Sequence, residues 1–82
     1  MDNKREKIRT LIGELLLQKG FNEELADDKK LVTVGHLDSV DIMDIVVFLE
    51  QEFELDFIDR GIDQTEFESV NSIIQMIDEM SS

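Results

Sequence analysis

Apolar residues recur at helical spacing in three parts of the chain. In residues 4–17 they stand three and four positions apart, with charged side chains between them, which is typical of an amphipathic helix. Asp2 or Asn3 is a suitable cap for the start of this helix, and Gly20 marks its end. The apolar side chains of the helix are Ile8, Leu11, Ile12, Leu15 and Leu16.

Two further helices are predicted by the same signals. Residues 39–53 are expected to be helical because Asp38 can cap them and because acidic side chains stabilise a first helical turn. Ser69 caps a final helix, and a short helical turn, weakened by Gly61, is expected within residues 60–67. The buried stripe of the final helix consists of Val70, Ile73, Ile74, Ile77 and Met80. The pattern predicts an all-α domain, a small four-helix bundle of three main helices and one short helix.

A long first loop separates the first two main helices. No helical period is sustained between residues 19 and 37, although Asn22 is a suitable cap for one turn. So long a connection in a compact domain is usually either functional or disordered. Its apolar side chains suggest that it is held against the core, whereas His36 is expected to be exposed. These apolar side chains are Phe21, Leu25, Leu31, Val32, Val34 and Leu37.

The second helix has two apolar faces. A helical wheel of residues 39–53, at about 100° per residue, places one group toward the core: Ile42, Ile45, Val46, Leu49 and Phe53. A second group, which we name the outer stripe, consists of Val40, Met43 and Val47. Asp44, Glu50 and Gln51 flank the outer stripe. Both faces are buried if the helix is central, but an apolar strip edged by carboxylates is more typical of a surface that docks a partner.

Length and composition limit the classes of function. A chain of 82 residues forms one domain with a modest core, which favours a module acting through partners over an enzyme with its own cleft. The chain has no cysteine and a single histidine, so a disulfide framework, a thiolate metal site and a histidine cluster are excluded. No apolar run is long enough for a membrane span, and the first residues lead into no signal core. We therefore expect a monomeric cytoplasmic protein without a resident metal.

Charge is the strongest compositional signal. The formal net charge of −12 argues against a nucleic-acid partner, because phosphates repel a polyanion. Residues 1–37 carry seven acidic and seven basic side chains, whereas residues 38–82 carry thirteen acidic side chains and one basic side chain, Arg60. This asymmetry is compatible with a well-solvated surface, and it favours an anionic face that steers the chain toward basic patches on partners.

Ser39 is the candidate residue for chemistry. Its ordinary role would be that of a residue at the start of a helix, next to the outer stripe. A hydrolytic triad with His36 and Asp38 is rejected, because three residues so close at the start of a helix cannot align in relay. The free N–H groups and positive dipole end of a helix N-terminus do favour a phosphodiester on a side chain there. Ser39 therefore suits a covalent attachment point, and no catalytic residue is assigned.

The segment Gly35-His36-Leu37-Asp38-Ser39-Val40 resembles the phosphopantetheine attachment motif of acyl and peptidyl carrier proteins, in which Asp-Ser follows a glycine. Residues 42–53, ending in Leu49-Glu50-Gln51-Glu52-Phe53, are similar to the second helix of that family. The similarity is specific over residues 35–53 and extends by pattern over nearly the whole chain.

The resemblance implies a carrier function and a set of roles. Ser39 would bear 4'-phosphopantetheine, transferred from coenzyme A by a phosphopantetheinyl transferase with Mg²⁺, and Asp38 would contact the metal or the transferase. The thiol of the arm would carry an acyl group as a thioester between enzymes of fatty acid, polyketide or related biosynthesis. Basic patches on the transferase and on acyl- or aminoacyl-ligases and acyl-transferring enzymes would dock on one face. The residues of that face would be Val40, Asp41, Met43, Asp44, Val47, Glu50 and Gln51.

Two departures from the motif keep other interpretations open. Val40 replaces the usual leucine or methionine, and two residues separate Gly35 from Asp38 where carriers of fatty acid synthesis have one. The spacing is more similar to that of D-alanyl carriers and of some assembly-line carriers, so an aminoacyl cargo is an alternative. An unmodified acidic helical adaptor is a second alternative. A calcium site at Asp56, Asp59, Asp63 and Glu66 does not fit the EF-hand spacing.

Overall fold

A computed structural model describes residues 3–21 and 25–81 of the chain, which contain three α-helices and one 3₁₀ turn and no strand. The elements are α1 (Asn3–Gln18), α2 (Ser39–Phe53), the 3₁₀ turn (Gln64–Phe67) and α3 (Val70–Ser81). The all-α class is confirmed. The fourth predicted helix is a single 3₁₀ turn of four residues, capped by the Asp63 side chain. Asp2 and Asn22, which we considered as caps, lie outside the described residues.

The core is formed by one face of each helix together with side chains from the loops. Ile8, Ile12 and Leu16 of α1 are buried in the core, as the spacing predicted. From α2 the buried apolar side chains are Ile42, Ile45, Val46 and Leu49. From α3 they are Val70, Ile73, Ile74, Met76 and Ile77, while Leu31, Leu37, Phe57 and Phe67 enter from the loops and the 3₁₀ turn. The three amphipathic helices therefore share one apolar cluster.

The long loop between α1 and α2 is tied to α3 and α1 by polar contacts as well as by apolar ones. The backbone N–H of Leu31 donates to the Glu68 carbonyl oxygen at 2.7 Å, and that of Asn71 donates to the Asp27 carbonyl oxygen at 2.9 Å. The Asp27 carboxylate also pairs with Arg5 and Arg9 of α1. Leu31 and Leu37 are buried, which fits a loop held against the core. Val34 is 53% exposed, so its predicted contact with the core is wrong.

None of the helices in the described part of the chain is both long enough and apolar enough to cross a membrane.

Candidate functional site

The start of α2 is fixed by a reciprocal pair of side chain to backbone hydrogen bonds. The Asp41 backbone N–H donates to Asp38 Oδ1 at 3.0 Å, and the Asp38 backbone N–H donates to Asp41 Oδ2 at 3.2 Å. This is the capping-box arrangement, which satisfies amide groups that a helix start otherwise leaves without partners. The predicted cap at Asp38 is confirmed, and the helix begins at Ser39 as the sequence predicted.

The Asp38 cap is strongest when its carboxyl group is ionised. Hydrogen bonding from the Asp41 backbone N–H holds the pKa of Asp38 below its ordinary value of 3.8, and the nearby Lys19 ammonium group acts in the same direction. A lowered folded-state pKa contributes stability that is present above the unfolded value and is lost as the pH falls through the folded value. The contribution of Asp38 is therefore complete near neutral pH.

Substitution of Asp38 separates its capping role from its charge. Asp38→Ala is expected to lower the midpoint of thermal unfolding at pH 7, because the Asp41 N–H loses its acceptor. Asp38→Asn is expected to retain most of the stability, because asparagine caps as well as aspartate. Thermal melts between pH 7 and pH 3 provide the measurement. Equal midpoints for wild type and Asp38→Ala at pH 7 would contradict the capping role.

Ser39 occupies the first position of α2 and is exposed. The chain reaches it through a turn in which the backbone N–H groups of His36 and Leu37 both donate to the Leu31 carbonyl oxygen, at 2.9 and 3.2 Å. Gly35 lies in this turn with φ at +84°, in the left-handed region that favours glycine. The hydroxyl of Ser39 therefore stands on a fixed backbone at the positive end of the α2 dipole, accessible to another protein.

The outer stripe is exposed, which decides between the two interpretations of the second apolar face. Val40, Met43 and Val47 are 68%, 49% and 47% exposed, whereas the opposite face of α2 is buried. Asp44 and Gln51 beside the stripe are exposed and Glu50 is half-buried. An apolar strip edged by acidic and polar groups thus runs along α2 from the position next to Ser39.

One residue assigned to the predicted docking face belongs elsewhere. Asp41 is 6% exposed, and its carboxylate is committed to the Asp38 backbone N–H and to the Lys19 ammonium group. Its position on the helical wheel, between the outer stripe and the core face, does not reveal these partners. Asp41 is therefore a capping and ion-pairing residue, while five of the other six predicted positions are exposed and Glu50 is half-buried.

His36 is less exposed than the sequence predicted. The imidazole is half-buried and stacks on the Phe21 ring, with ring centroids 4.0 Å apart and planes 8° from parallel. Phe21 lies three residues after the end of α1, so this stack helps to hold the turn before Ser39 near the end of α1. The expectation of an exposed His36 was wrong because the partner ring lies fifteen positions away in an irregular loop.

Lys19 is the residue at this site that the sequence analysis did not identify. Its ammonium group pairs with the buried Asp41 carboxylate, lies 3.7 Å from Asp38 Oδ2, and donates to the His36 carbonyl oxygen at 3.1 Å. The hydrogen bond to Asp41 raises the pKa of Lys19 above its ordinary value of 10.5. The sequence feature that could have identified Lys19 is its position just after α1, because a cation is favourable at the negative end of a helix dipole.

Three of the four carboxylates that could suggest a calcium site take part in local structure instead. Asp63 accepts hydrogen bonds from the Thr65 backbone N–H and hydroxyl, Glu66 pairs with Arg60, and Asp56 accepts from the Ile58 backbone N–H. Among residues 3–21 and 25–81, no group of three or more acidic or histidine side chains is arranged to hold a metal ion.

A groove of about 560 Å³ lies between α1 and α2, on the flank of α2. Leu11 and Phe48 are its apolar lining, and Glu6, Glu14 and Glu52 are among the charged residues around it. Ser39 and the outer stripe do not line this groove, so the candidate attachment point and the groove are separate features.

Comparisons with models of protein families, with curated proteins and with solved structures found no match to this chain. The functional assignment consequently depends on the residues of the site: Ser39, its cap, the ion pairs around it and the outer stripe.

Proposed function

We propose that the chain is a carrier protein, without catalysis of its own, that bears 4'-phosphopantetheine on Ser39. The observation that carries this proposal is an exposed serine at the first position of a capped helix, bordered by an exposed apolar strip with acidic flanks. The sequence around Ser39 resembles the carrier attachment motif. A carrier of this kind is a four-helix bundle, in which the 3₁₀ turn at Gln64–Phe67 would stand in for the shortest helix.

The proposed modification requires little of this chain beyond presentation of a hydroxyl group. The Ser39 oxygen attacks the β-phosphate of coenzyme A, the phosphodiester forms, and adenosine 3',5'-bisphosphate leaves while the serine proton passes to a base of the transferase. The positive end of α2 favours the new phosphodiester. Asp38 serves as the cap, and its exposed carboxylate is the group available to the transferase or its Mg²⁺.

The outer stripe supplies the proposed contact surface for the transferase and for enzymes that load and receive the cargo. Its apolar side chains offer area to bury, and the flanking acidic groups are suited to basic patches. The basic side chains Lys4, Arg5, Lys7 and Arg9 of α1 pair with carboxylates outside the outer stripe, at Asp27, Glu52 and Asp78. None of these four pairs engages Asp44 or Glu50, the two acidic residues beside the outer stripe.

Charge reversal at the outer stripe is expected to slow encounter with the transferase. Asp44→Lys and Glu50→Lys should each lower the association rate several-fold at physiological ionic strength, where screening over about 8 Å leaves only charges near the contact effective. Glu14→Lys makes the same change in net charge on α1 and should have much less effect. Stopped-flow kinetics over a salt series measures this. Equal effects at all three positions would mean that total charge governs the encounter.

The experiment that tests the proposed function is incubation of the purified chain with coenzyme A, Mg²⁺ and a broad-specificity phosphopantetheinyl transferase. A carrier gains the mass of one phosphopantetheine, whereas an adaptor that binds basic partners without modification gains none. Loading of the modified chain by fatty acyl-, aminoacyl- and D-alanyl-activating ligases then distinguishes the acyl cargo from the aminoacyl cargo. A charged aminoacyl group would stay outside the apolar core, because its burial carries a large desolvation cost.

A further inference from the structure

Lys19 connects three parts of the region that presents Ser39. It follows α1, and its ammonium group contacts the His36 carbonyl oxygen in the turn before α2 and the carboxylates of the capping box. A lysine ammonium group has three N–H donors and no acceptor, so one side chain can hold all of these oxygens. The basic side chains of α1 itself are engaged elsewhere in the fold.

The ion pair between Lys19 and Asp41 matters for stability because the Asp41 carboxylate is buried. The Asp41 side chain is only 9% exposed, and a buried carboxylate is costly unless it is both paired and hydrogen-bonded. The Asp38 N–H provides one hydrogen bond and Lys19 provides the countercharge. Without Lys19, the least costly response is movement of Asp41 toward water. That movement would open the capping box and release the first turn of α2, where Ser39 lies.

We propose that Lys19 is a positioning residue for the modification of Ser39. It acts through the His36 carbonyl group and the capping box, keeping the turn before α2 and the first turn of α2 in the arrangement that the transferase binds. This inference rests on the proposed function. Lys19 would therefore contribute to the step in which the transferase binds the unmodified chain, before the phosphodiester forms.

The test compares Lys19→Met with Lys30→Met in transferase kinetics. Both variants lose one positive charge, and Lys30 is an exposed residue of the loop that lies outside the Lys19 contacts. In Lys19→Met the binding-competent arrangement is only fractionally populated, so KM for the chain is expected to rise about tenfold with little change in kcat. Lys30→Met is expected to retain the wild-type KM, and Lys19→Arg to restore most of the loss because it returns the charge.

Hydrogen exchange and a second variant show whether an effect of Lys19→Met on KM comes from the start of α2. Amide hydrogen exchange at Asp38 and Asp41 is expected to accelerate in Lys19→Met, at a temperature where circular dichroism shows the variant folded. If Lys19→Met does not fold, Lys19→Met with Asp41→Asn replaces it, because a neutral amide removes the unpaired buried charge while the Lys19 contacts stay absent. In that double variant the lost contact with the His36 carbonyl oxygen still frees the turn before α2, so KM is expected to exceed that of Asp41→Asn alone, and equal KM values would overturn the role of Lys19.

The two proposals fail in distinguishable ways. A wild-type chain that takes up no phosphopantetheine would overturn the proposed function, and the role of Lys19 with it. A wild-type chain that is modified with the same KM as Lys19→Met would overturn the role of Lys19 alone. Faster exchange with an unchanged KM would also overturn it, since Lys19 would then affect the fold and not recognition.

Discussion

Leu49→Ala is expected to lower the free energy of unfolding by about 2–5 kcal/mol, the range for removing a large buried aliphatic side chain and leaving a cavity. Leu49 is fully buried on the inner face of α2. The destabilisation combines the transfer free energy of the deleted groups with the van der Waals attraction that side chains around the cavity no longer make. Chemical denaturation followed by circular dichroism measures it, with the denaturant dependence of the free energy compared to detect changes in the unfolded state.

Val47→Asp is the matched variant on the opposite face of the same helix. Val47 is about half exposed, so the change is expected to lower the free energy of unfolding by less than about 1 kcal/mol, as for most surface substitutions. The same variant should weaken turnover by the transferase, because a charge then interrupts the outer stripe. Unfolding of Val47→Asp, or a Leu49→Ala variant as stable as wild type, would contradict the assignment of the two faces.

The sequence predicted the helices because each carries its own local signal. The apolar spacing of α1 and α3 is helical, whereas the β-branched residues of α2 would also tolerate a strand, and its length, the Asp38 cap and its early acidic residues indicate a helix. The Ser69 cap is also confirmed, since its hydroxyl oxygen accepts from the Ser72 backbone N–H at 3.1 Å. The exposed outer stripe followed from the same wheel, because the acidic and polar residues beside it belong in water.

The sequence did not predict the contacts that depend on distant partners. Asp41 was predicted to lie on the docking face because a helical wheel gives the direction of a side chain but not the residues that it contacts. Its partner Lys19 is separated from it in sequence by the long loop. The motif Asp-x-x-Asp at residues 38–41 departs from the Ser/Thr-x-x-Glu form in which a capping box is usually recognised. His36 and Val34 were misplaced for the same reason, since an irregular loop has no period from which burial follows.

The middle of the long loop shows why such contacts cannot be predicted from the sequence. Its course is set by single hydrogen bonds from Leu31 and Asn71 and by the pairing of Asp27 with two arginines of α1. Each contact joins residues far apart in sequence and leaves no repeating pattern. The sequence therefore predicts the Asp38 cap and the exposure of Ser39. It does not predict the ion pairs and hydrogen bonds that hold the residues around Ser39 in place.

Ser39→Ala is expected to have the largest effect on function, because it removes the only oxygen of this chain that takes part in the proposed phosphodiester. The fold should be unaffected, since Ser39 is exposed and the capping box is formed by Asp38 and Asp41. Ser72→Ala is the matched control. It removes a hydroxyl group at the start of α3, where the hydroxyl is hydrogen-bonded to that of Ser69, and it should leave the modification intact.

The intact mass of wild type, Ser39→Ala and Ser72→Ala after incubation with coenzyme A, Mg²⁺ and the transferase tests the proposed attachment at Ser39 most directly. We predict one added phosphopantetheine on wild type and on Ser72→Ala, localised to Ser39 by fragmentation, and none on a folded Ser39→Ala. Unmodified wild type across several transferases, or an addition that persists in Ser39→Ala, would contradict the carrier function.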